Sequence, residues 1–379
     1  MAIEAGADSS GDRRLEINAM RAALALARRG LGAVWPNPSV GCVIVNDGRV
    51  VGRGWTQPGG RPHGETEALR RAGEAAHGAI AHVSLEPCCH WGQTPPCVNA
   101  LIAAGVRRVV VALEDPDPRV AGEGLRRLRA AGLDVEVGLC TEEAAEVNAG
   151  FLSRLRLGRP LVTFKLATSL DGRIAVATGE SQWITGPPAR DRAHALRASH
   201  DAIMVGTGTV VADDPQLTCR LPGLGHRSPV RVVIDRHLRI SPASRIIADA
   251  PRVPTWVLTL RSADPGRRAM FLANRVTLID VDDDGEGQID LAAALGALGE
   301  RGITRLLVEG GARLAAAFFR ARLIDRLVWV HAPLVIGGDG IPAIAGFDLA
   351  ALADGRAFER LSTETIGDDV LTTFRVRPI

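Results

Sequence analysis

The chain has 379 residues, more than a single hydrophobic core usually organises, and this length predicts two domains. Hydrophobic residues make up 46% and charged residues 23% of the chain, the balance expected of a soluble globular protein. A formal net charge of +2 gives no electrostatic reason to expect nucleic acid or a membrane as the main partner. No apolar run reaches roughly 18 residues, so we expect no transmembrane segment.

The N-terminal segment and the cysteines indicate the cellular compartment in which we expect the protein. Residues 1–12 are mostly small and polar and lack the apolar core of a signal peptide, so we expect them to form a disordered tail. The expected location is therefore the cytoplasm, where cysteines stay reduced. Six cysteines are too few for a disulfide framework in a chain of this length. Three of them, Cys88, Cys89 and Cys97, lie close together and need a separate explanation.

Helical and strand patterns alternate through the first half of the chain. The predicted elements are helix Glu16–Arg29, strand Val40–Val45, helix Glu65–Ala72, strand His82–Leu85, helix Cys97–Ala104, strand Arg107–Leu113, helix Gly122–Ala131, strand Leu133–Val137 and helix Glu142–Arg154. Such alternation predicts a mostly parallel sheet with helices on both faces. The segment Leu157–Pro160 then reads as a linker.

A second α/β pattern follows the linker. Its predicted strands are Leu161–Ala167, Asp201–Val205, Val230–Ile234, Thr255–Leu260, Arg305–Val308, Arg326–His331 and Val370–Val376, and its predicted helices are Pro187–Ala198, Ile289–Glu300 and Arg313–Ala321. The acidic segment Asp280–Glu286 is expected to be an exposed loop. The second half is therefore predicted to be a separate α/β domain.

Three side chains of the first half have the residue types of a catalytic zinc site. They are His63 before a predicted helix, Cys88 after a predicted strand, and Cys97 at the start of the next helix. One imidazole and two thiolates leave the fourth tetrahedral position of zinc open for water, whose pKa zinc lowers to about 7. Glu65 lies two residues after His63, and an uncoordinated carboxylate there can move a proton from water to a departing amine. The set predicts a hydrolytic deaminase of a small aminated heterocycle.

The cysteine spacing leaves the choice of the third ligand open. Zinc deaminases usually have two cysteines separated by two residues, whereas eight residues separate Cys88 from Cys97. Either the loop between the ligands is enlarged or Cys89 replaces a ligand, and His90 is a further rival. We favour Cys97, because two preceding prolines place it at a helix start, where the helix dipole stabilises a thiolate.

Several segments of the chain resemble one enzyme family. They are Pro36–Gly41, the His63 and Glu65 pair, Leu85–Cys97, Asp115–Pro118 and Gly122–Gly124 in the first half, and Lys165–Gly172, Ser181–Thr185, Leu196–Ala198, Asp213–Thr218 and Val308–Gly311 in the second. Their order and spacing resemble those of the bifunctional deaminase-reductases of riboflavin biosynthesis. The resemblance covers nearly the whole chain.

The resemblance implies both a fold and a pair of reactions. The fold is α/β, with a cytidine-deaminase-like zinc domain over residues 13–156 followed by a dihydrofolate-reductase-like domain over residues 160–379. The first domain would hydrolyse the 2-amino group of a diaminopyrimidinone that carries a phosphoribosylamino arm, releasing ammonia. The second domain would use NADPH to reduce the ribosyl arm to ribityl.

Site residues are implied by their positions in the matching motifs. The zinc ligands would be His63, Cys88 and Cys97, and Glu65 would carry the proton. NADPH would contact Ala167, Trp183, Thr209, Asp213, Gly311, Ala312, Arg313, Leu314, Ala315, Ala316 and Ala317. Substrate would contact Asn37, Lys165, Ser181, Arg197, Leu217, Arg220 and Glu309.

Some of these roles have a physical basis in the residues themselves. Gly310–Gly311 separates a predicted strand from a helix, where backbone amides can approach a pyrophosphate, although an ordinary turn explains the glycines equally well. Arg197 and Arg220 either clamp a phosphate bidentately or are solvated. The ring of Trp183 either forms one side of the nicotinamide pocket or belongs to the core. Lys165 is the only lysine among 45 basic residues, which favours a need for its compact ammonium.

Three positions depart from the family pattern. Gly64 stands where alanine is usual and is expected to loosen the helix start. Cys89 stands where a small polar residue is usual. Arg236 stands where a smaller residue is frequent near the cofactor, and it either contacts the 2′-phosphate of NADPH or is exposed.

Two other functions fit parts of the pattern. One is a nucleotide or base deaminase with a non-catalytic reductase-like binding domain, although the near-neutral charge counts against nucleic acid. The other is a scaffold stabilised by zinc, in which Glu65 would have no purpose. The favoured hypothesis is an enzyme of a small phosphoribosylaminopyrimidine, expected to be a homo-oligomer without nucleic-acid or membrane partners.

Overall fold

The computed structural model describes residues 9–377, and their side chains from Arg13 onward. The chain divides into two compact units between Arg156 and Leu157. Residues 1–8 of the predicted tail lie outside the described residues, whereas the backbone from Ser9 belongs to the first helix. Within the described residues, no helix is both long and apolar enough to cross a membrane.

The first unit combines six helices and five strands within its described residues. They are α1 (Ser9–Arg28), β1 (Gly41–Asn46), β2 (Arg49–Trp55), α2 (Gly64–Ala72), β3 (Ile80–Val83), α3 (Cys97–Ala103), β4 (Arg108–Val111), α4 (Glu123–Ala130), β5 (Asp134–Val137), α5 (Thr141–Val147) and α6 (Ala149–Leu157). The strand order in the sheet is β2-β1-β3-β4-β5, with parallel pairing from β3 to β5 and antiparallel pairing at β1.

Strand β2 is the element of this unit that the sequence analysis misses. Its arginines and glycines interrupt the apolar alternation that marks a half-buried strand. The same glycines bring α2 against the sheet, because a Cβ at Gly54 would lie 2.1 Å from the carbonyl oxygen of Gly64, and one at Gly52 would lie 2.3 Å from that of Ala68. The close approach fixes the start of α2, where His63 is found.

The second unit carries a larger sheet. Its elements are β6 (Leu161–Thr168), β7 (Arg173–Ala175), α7 (Pro187–Ala198), β8 (Ala202–Gly206), α8 (Thr207–Asp213), β9 (Val230–Ile234), α9 (Arg245–Ala248), β10 (Thr255–Thr259), α10 (Pro265–Ala273), β11 (Thr277–Asp280), α11 (Leu291–Glu300), β12 (Arg305–Val308), α12 (Ala312–Arg320), β13 (Arg326–His331), β14 (Ile341–Pro342), β15 (Phe358–Ile366) and β16 (Asp369–Val376).

Nine strands of this unit pair in the order β11-β10-β9-β8-β12-β6-β13-β16-β15. Pairing is parallel from β11 through β13 and antiparallel at β16 and β15. Strands β6, β8 and β12 are buried along most of their length, which for β8 and β12 matches a nearly continuous apolar run. Ligands of open parallel sheets bind beyond the carboxyl ends of such strands, and the segments that follow β8 and β12 lie there.

Candidate active sites

The three residues predicted to bind zinc come from two helix starts and one loop. His63 directly precedes α2 with an extended backbone, Cys88 lies in the loop after β3, and Cys97 is the first residue of α3. Pro96, with an extended backbone, directly precedes α3 and leaves the side chain of Cys97 at the helix start. The fold therefore brings together residues that are up to 34 positions apart in the chain.

The ligand atoms of these residues already converge. The Nδ1 atom of His63 lies 3.5 Å from the Sγ of Cys88 and 3.3 Å from the Sγ of Cys97. The backbone N–H of Cys97 donates to the Sγ of Cys88 over 3.3 Å. All three ligand atoms lie within 4.8 Å of one another, and no other group of this kind is found among the described residues.

The geometry decides between the rival ligands. Cys89 is buried, and its thiol points to the carbonyl oxygen of Arg119 at 3.5 Å. His90 does not join the converging group, although its Nδ1 atom is buried without a hydrogen-bond partner. Cys97 completes the set, so the loop between the two cysteine ligands is enlarged.

The donor chemistry of this set fits zinc. The pKa of the Cys88 thiol is lowered to about 4 because Cys97 and His63 donate to its sulfur, and the hydrogen bond to Cys88 together with burial raises the pKa of Cys97. Two sulfurs this close can both be thiolates only beside a cation. Two thiolates and one imidazole are a ligand set of catalytic zinc with a fourth position open.

Glu65 has the environment expected of a proton carrier. Its side chain is 2% exposed and its Oε2 atom has no hydrogen-bond partner among the described residues. Burial raises its pKa to about 7, although the neighbouring His63 acts in the opposite direction. A carboxylate near its pKa at neutral pH can both accept and release a proton.

A second carboxylate supports the zinc loop, and the sequence analysis assigns it no role. Glu86 is buried and accepts hydrogen bonds from the backbone N–H groups of Asp115, Gly122 and Leu125 at 3.0–3.2 Å. Gly124 lets α4 approach, because a Cβ there would lie 2.4 Å from the carbonyl oxygen of Pro87. This frame explains the Gly122–Gly124 motif structurally. No local sequence signal distinguishes such a buried acceptor from a catalytic carboxylate.

Two further residues of the first unit, Asn37 and Gly64, are singled out in the sequence, and both pack closely against neighbouring segments. The amide of Asn37 packs on Gly60, where a Cβ would lie 1.8 Å from its Nδ2 atom, on the loop that leads to His63. Gly64 is the first residue of α2, and its expected loosening of the helix start stays a prediction. A Cβ there would lie 2.7 Å from the carbonyl oxygen of Val40, so glycine allows close packing against the sheet.

The second unit contains a cleft of about 1200 Å³ beside the ends of its parallel strands. Most residues predicted to contact NADPH or substrate line it. They are Lys165, Ala167, Ser181, Trp183, Arg197, Thr209, Asp213, Arg220, Glu309, Gly311, Ala312, Arg313 and Leu314. The turn after β12 meets the first turn of α8, which directly follows β8, since a Cβ at Gly311 would lie 3.8 Å from the Oγ1 of Thr209.

Four of the residues predicted to bind ligand lie away from the lining of this cleft. Ala315 and Ala316 are buried on the core side of α12, and Ala317 lies one position further along the helix. Leu217 is 3% exposed and packs in the core of the second unit. Their predicted ligand contacts stay predictions. Trp183 is 66% exposed, with the guanidinium of Arg190 4.4 Å from its ring, so it is not a core residue.

The guanidinium of Arg197 is hydrogen-bonded to other residues of the chain. Its Nε and Nη2 atoms donate to the two carboxylate oxygens of Glu309 over 3.0 and 2.8 Å, and Nη1 donates to the carbonyl oxygen of Thr218 over 3.1 Å. Burial, the largest single influence, would raise the pKa of Glu309, but the charge and hydrogen bonds of Arg197 together with the charge of Lys165 outweigh it and lower the pKa to about 2. Burial lowers the pKa of the Lys165 ammonium, which also faces this cleft.

Arg236 is also engaged within the protein. Its Nη1 atom donates to the carbonyl oxygen of Gly287 over 2.7 Å, so its guanidinium holds the loop that follows the acidic segment. The residue does not line the cleft. The structure therefore gives this guanidinium a structural contact, which the sequence could not distinguish from a cofactor contact.

Two family models match the chain. Residues 14–113 match the cytidine and deoxycytidylate deaminase zinc-binding region, and residues 160–372 match the RibD C-terminal domain. The riboflavin biosynthesis protein RibD of Escherichia coli is 45% identical over 93% of this chain and 96% of the relative. RibD of Bacillus amyloliquefaciens is 40% identical over 93% and 94% of the two chains.

Solved structures agree with these matches. RibD of Acinetobacter baumannii has a TM-score of 0.87 and 37% identity, covering 97% of this chain and all of that one. A Thermotoga maritima protein described as a diaminohydroxyphosphoribosylaminopyrimidine deaminase and 5-amino-6-(5-phosphoribosylamino)uracil reductase has a TM-score of 0.84 and 32% identity over 97% of this chain. The first domain binds zinc through His63, Cys88 and Cys97, and the second domain uses NADPH. The chain belongs to the RibD family of riboflavin biosynthesis, whose members join a deaminase and a reductase in one polypeptide.

Proposed function

We propose that the first unit hydrolyses the 2-amino group of a diaminopyrimidinone bearing a phosphoribosylamino arm and releases ammonia. The observation that carries this proposal is the buried, uncoordinated carboxylate of Glu65 beside three converging zinc ligands. A purely structural zinc site needs four protein ligands and no neighbouring free carboxylate. The Thermotoga maritima relative is described as the deaminase of this substrate, which supports the assignment.

The residues around the metal have two separate roles, metal binding and proton transfer. Zinc held by His63, Cys88 and Cys97 supplies a polarised water with a lowered pKa. Glu65 would accept a proton from this water through its free Oε2 atom and pass it to the departing nitrogen. The water oxygen forms the new C–O bond as the C–N bond breaks, and the second water proton goes to the adjacent ring nitrogen. Burial excludes bulk water, so the proton stays between Glu65 and the reacting groups. The products are a carbonyl on the ring and ammonia.

Replacing the carboxylate tests this role. We expect Glu65→Gln to retain zinc, because Glu65 is not a ligand, and to lower ammonia release about 10²- to 10⁴-fold, the usual contribution of general acid–base catalysis. Reduction of supplied deaminated substrate should be unchanged. Glu67→Gln is the matched control, since Glu67 lies on the same helix but pairs with Arg70 and Arg71. Full deamination by Glu65→Gln would exclude the proposed role.

We further propose that the second unit reduces the ribosyl arm of the deaminated product with NADPH. The cleft supports this assignment, because the glycine-containing turn after β12 and the first turn of α8 meet beside it. Backbone amides at the start of α12 can approach a pyrophosphate there. The exposed ring of Trp183 provides a flat surface in the same cleft on which the nicotinamide ring can stack.

A coupled assay separates the two activities. Ammonia release and NADPH oxidation are measured together on the phosphoribosylated diaminopyrimidinone. Stoichiometric NADPH loss after ammonia release, with both signals abolished by removal of zinc, supports the two-step function. Ammonia without NADPH oxidation would instead favour a deaminase with a non-catalytic second domain.

A cytoplasmic location and a homo-oligomeric state stay predictions. Zinc thiolates and an NADPH-dependent step suit a reducing compartment, which supports the first. Light scattering on the purified full-length chain tests the second.

A further inference from the structure

The reductase cleft contains a histidine to which no role has yet been given. His194 lies on α7, one helical turn before Arg197, and lines the cleft together with Arg197, Arg220 and Glu309. It is half-buried, and burial followed by the charges of the two arginines lowers its pKa. At neutral pH the ring is therefore uncharged, with one nitrogen protonated and the other free to accept.

The Nδ1 atom of His194 has two backbone neighbours that require different tautomers. It lies 3.1 Å from the carbonyl oxygen of Thr218, which needs a proton on Nδ1. It also lies 3.3 Å from the backbone nitrogen of Arg220, whose N–H needs a lone pair on Nδ1. The carbonyl of Thr218 already accepts from Nη1 of Arg197 over 3.1 Å. The shorter contact favours a proton on Nδ1 in the free protein, but Arg197 keeps that carbonyl paired, so the ring can carry its proton on Nε2 instead when an anion binds there, and then accept from Arg220.

The Nε2 atom of His194 has no hydrogen-bond partner among the described residues. It is also not among the buried polar atoms of these residues that lack a partner. It is therefore open to a ligand. Because the ring is fixed through Nδ1, an Nε2–H group offers one donor in a set direction.

The charges around this nitrogen favour an anion. Glu309 neutralises Arg197 through two hydrogen bonds. The guanidinium of Arg220 has no ion-pair partner among the described residues, and burial and the charge of Arg197 lower its pKa. A guanidinium beside another cation and a neutral N–H donor suits a phosphate group, which takes several hydrogen bonds from such groups.

We propose that His194 is a substrate-binding residue of the reductase, donating from Nε2 to the phosphate of the ribosyl arm while Nδ1 accepts the backbone N–H of Arg220. This inference rests on the proposed reductase function, because it takes the phosphorylated arm as the ligand. In this arrangement the guanidinium of Arg220 supplies the positive charge that attracts the phosphate, and His194 supplies a hydrogen bond of fixed direction. Arg197 is a positioning residue that holds Glu309 and Thr218. Neither the sequence analysis nor the family assignment gives His194 a role.

Two replacements of His194 separate binding from structure. Asparagine places a polar atom near the position of Nδ1 and removes Nε2, whereas glutamine places an amide N–H near the position of Nε2. The reductase KM for the deaminated substrate and inhibition by ribose 5-phosphate measure the phosphate contact. The KM for NADPH and the thermal midpoint report whether the second unit is intact. Unphosphorylated ribose is the control ligand.

We expect His194→Asn to raise both the substrate KM and the inhibition constant of ribose 5-phosphate about 10- to 100-fold, the range for a lost hydrogen bond to a charged group. His194→Gln should recover most of this loss. The NADPH KM, the thermal midpoint, the response to ribose and the deaminase activity should not change.

Three results would overturn the proposal. Unchanged substrate KM in His194→Asn would show that Nε2 makes no useful contact. Equal losses in both variants with a lower thermal midpoint would show a structural role through Nδ1. A raised NADPH KM with unchanged ribose 5-phosphate inhibition would assign the anion to the cofactor. Absence of NADPH oxidation in the unaltered chain would instead contradict the proposed reductase function, so the two failures are distinguishable.

Discussion

The two active sites of this chain are organised by different forces. In the deaminase site, three ligand atoms from residues at most 34 positions apart in the chain lie within 4.8 Å of one another, in the arrangement that a single zinc ion requires. In the reductase cleft, residues from many segments surround about 1200 Å³ and are held by ordinary protein contacts, such as the Arg197–Glu309 pair. A metal centre can form from a few residues that are close in sequence. A cofactor cleft forms only when the sheet has brought many distant segments together.

The largest expected effect comes from removing a zinc ligand. Cys97→Ser should eliminate zinc binding and reduce deamination to background, because two ligands hold zinc far more weakly than three. Reduction of supplied deaminated substrate should continue, since the second unit has its own core. Metal analysis, ammonia release and NADPH oxidation measure these outcomes.

Cys89→Ser is the matched control for the zinc prediction. Cys89 is buried in the same loop but lies outside the ligand group. This variant should retain zinc and deaminase activity. Loss of zinc in Cys89→Ser with retention in Cys97→Ser would show that the ligand assignment is wrong.

A smaller effect is expected at the charge pair of the reductase cleft. Glu309→Gln leaves Arg197, of whose side chain 13% is exposed, and its neighbour Lys165 without their counter-charge, and breaking a largely buried pair costs about 3 kcal/mol. We expect a corresponding fall in the free energy of unfolding of the second unit and a loss of reductase activity, with deamination retained. Denaturant unfolding and the coupled assay measure both.

Glu364→Gln provides the comparison for the charge pair. Glu364 pairs with Arg192 in the same unit, with 44% and 45% of the two side chains exposed. Exposed pairs contribute at most about 1 kcal/mol, so this variant should be nearly as stable as the unaltered chain. Equal destabilisation by the two substitutions would contradict the importance given to Glu309.

The smallest expected effect is a pH dependence that belongs to the second unit. His200 is 2% exposed, with Nδ1 2.7 Å from the carbonyl oxygen of Leu196 and Nε2 3.0 Å from the hydroxyl of Thr163. Burial lowers its pKa to about 3. Because an unfolded histidine protonates near pH 6.5, the unfolded state gains protons first as pH falls, and stability decreases between about 6.5 and 3.

The size of this pH effect is measurable against a variant. From pH 6.5 to pH 5 the loss should be about 2 kcal/mol. His200→Gln should remove this part of the pH slope, whatever its effect on stability at pH 7, while His237→Asn at an exposed position should keep it. An unchanged slope in His200→Gln would show that another group titrates.

The sequence analysis predicted the central strands of both units closely. Strands β9, β12 and β13 and helix α7 have the predicted bounds, because buried parallel strands are continuous apolar runs and amphipathic helices have a regular period. Strands β2, β7, β11, β14 and β15 were not predicted, and β2 and β15 show the reason. Both carry exposed polar residues along most of their length, and such strands are defined by pairing with neighbours rather than by their own composition.

The three zinc ligands were predicted residue by residue, whereas the predicted reductase contacts stay predictions. His63, Glu65 and Cys97 stand at or beside helix starts that short motifs define. The contacts of Arg197 could not be predicted, since its partners Thr218 and Glu309 are distant in sequence. The sequence likewise gives no sign that the side chain of Leu217, a predicted substrate contact, lies in the core.

The sequence by itself determined the two-domain α/β architecture, the family and the residue types of the zinc site, because periodicity and motif spacing are local properties of the chain. The tertiary structure alone decided that Cys97 rather than His90 completes the ligand set, that Glu86 is a structural acceptor, and that His194 has an unoccupied nitrogen in a cationic cleft. These outcomes depend on distances between segments and on burial, and both arise only when the sheet assembles.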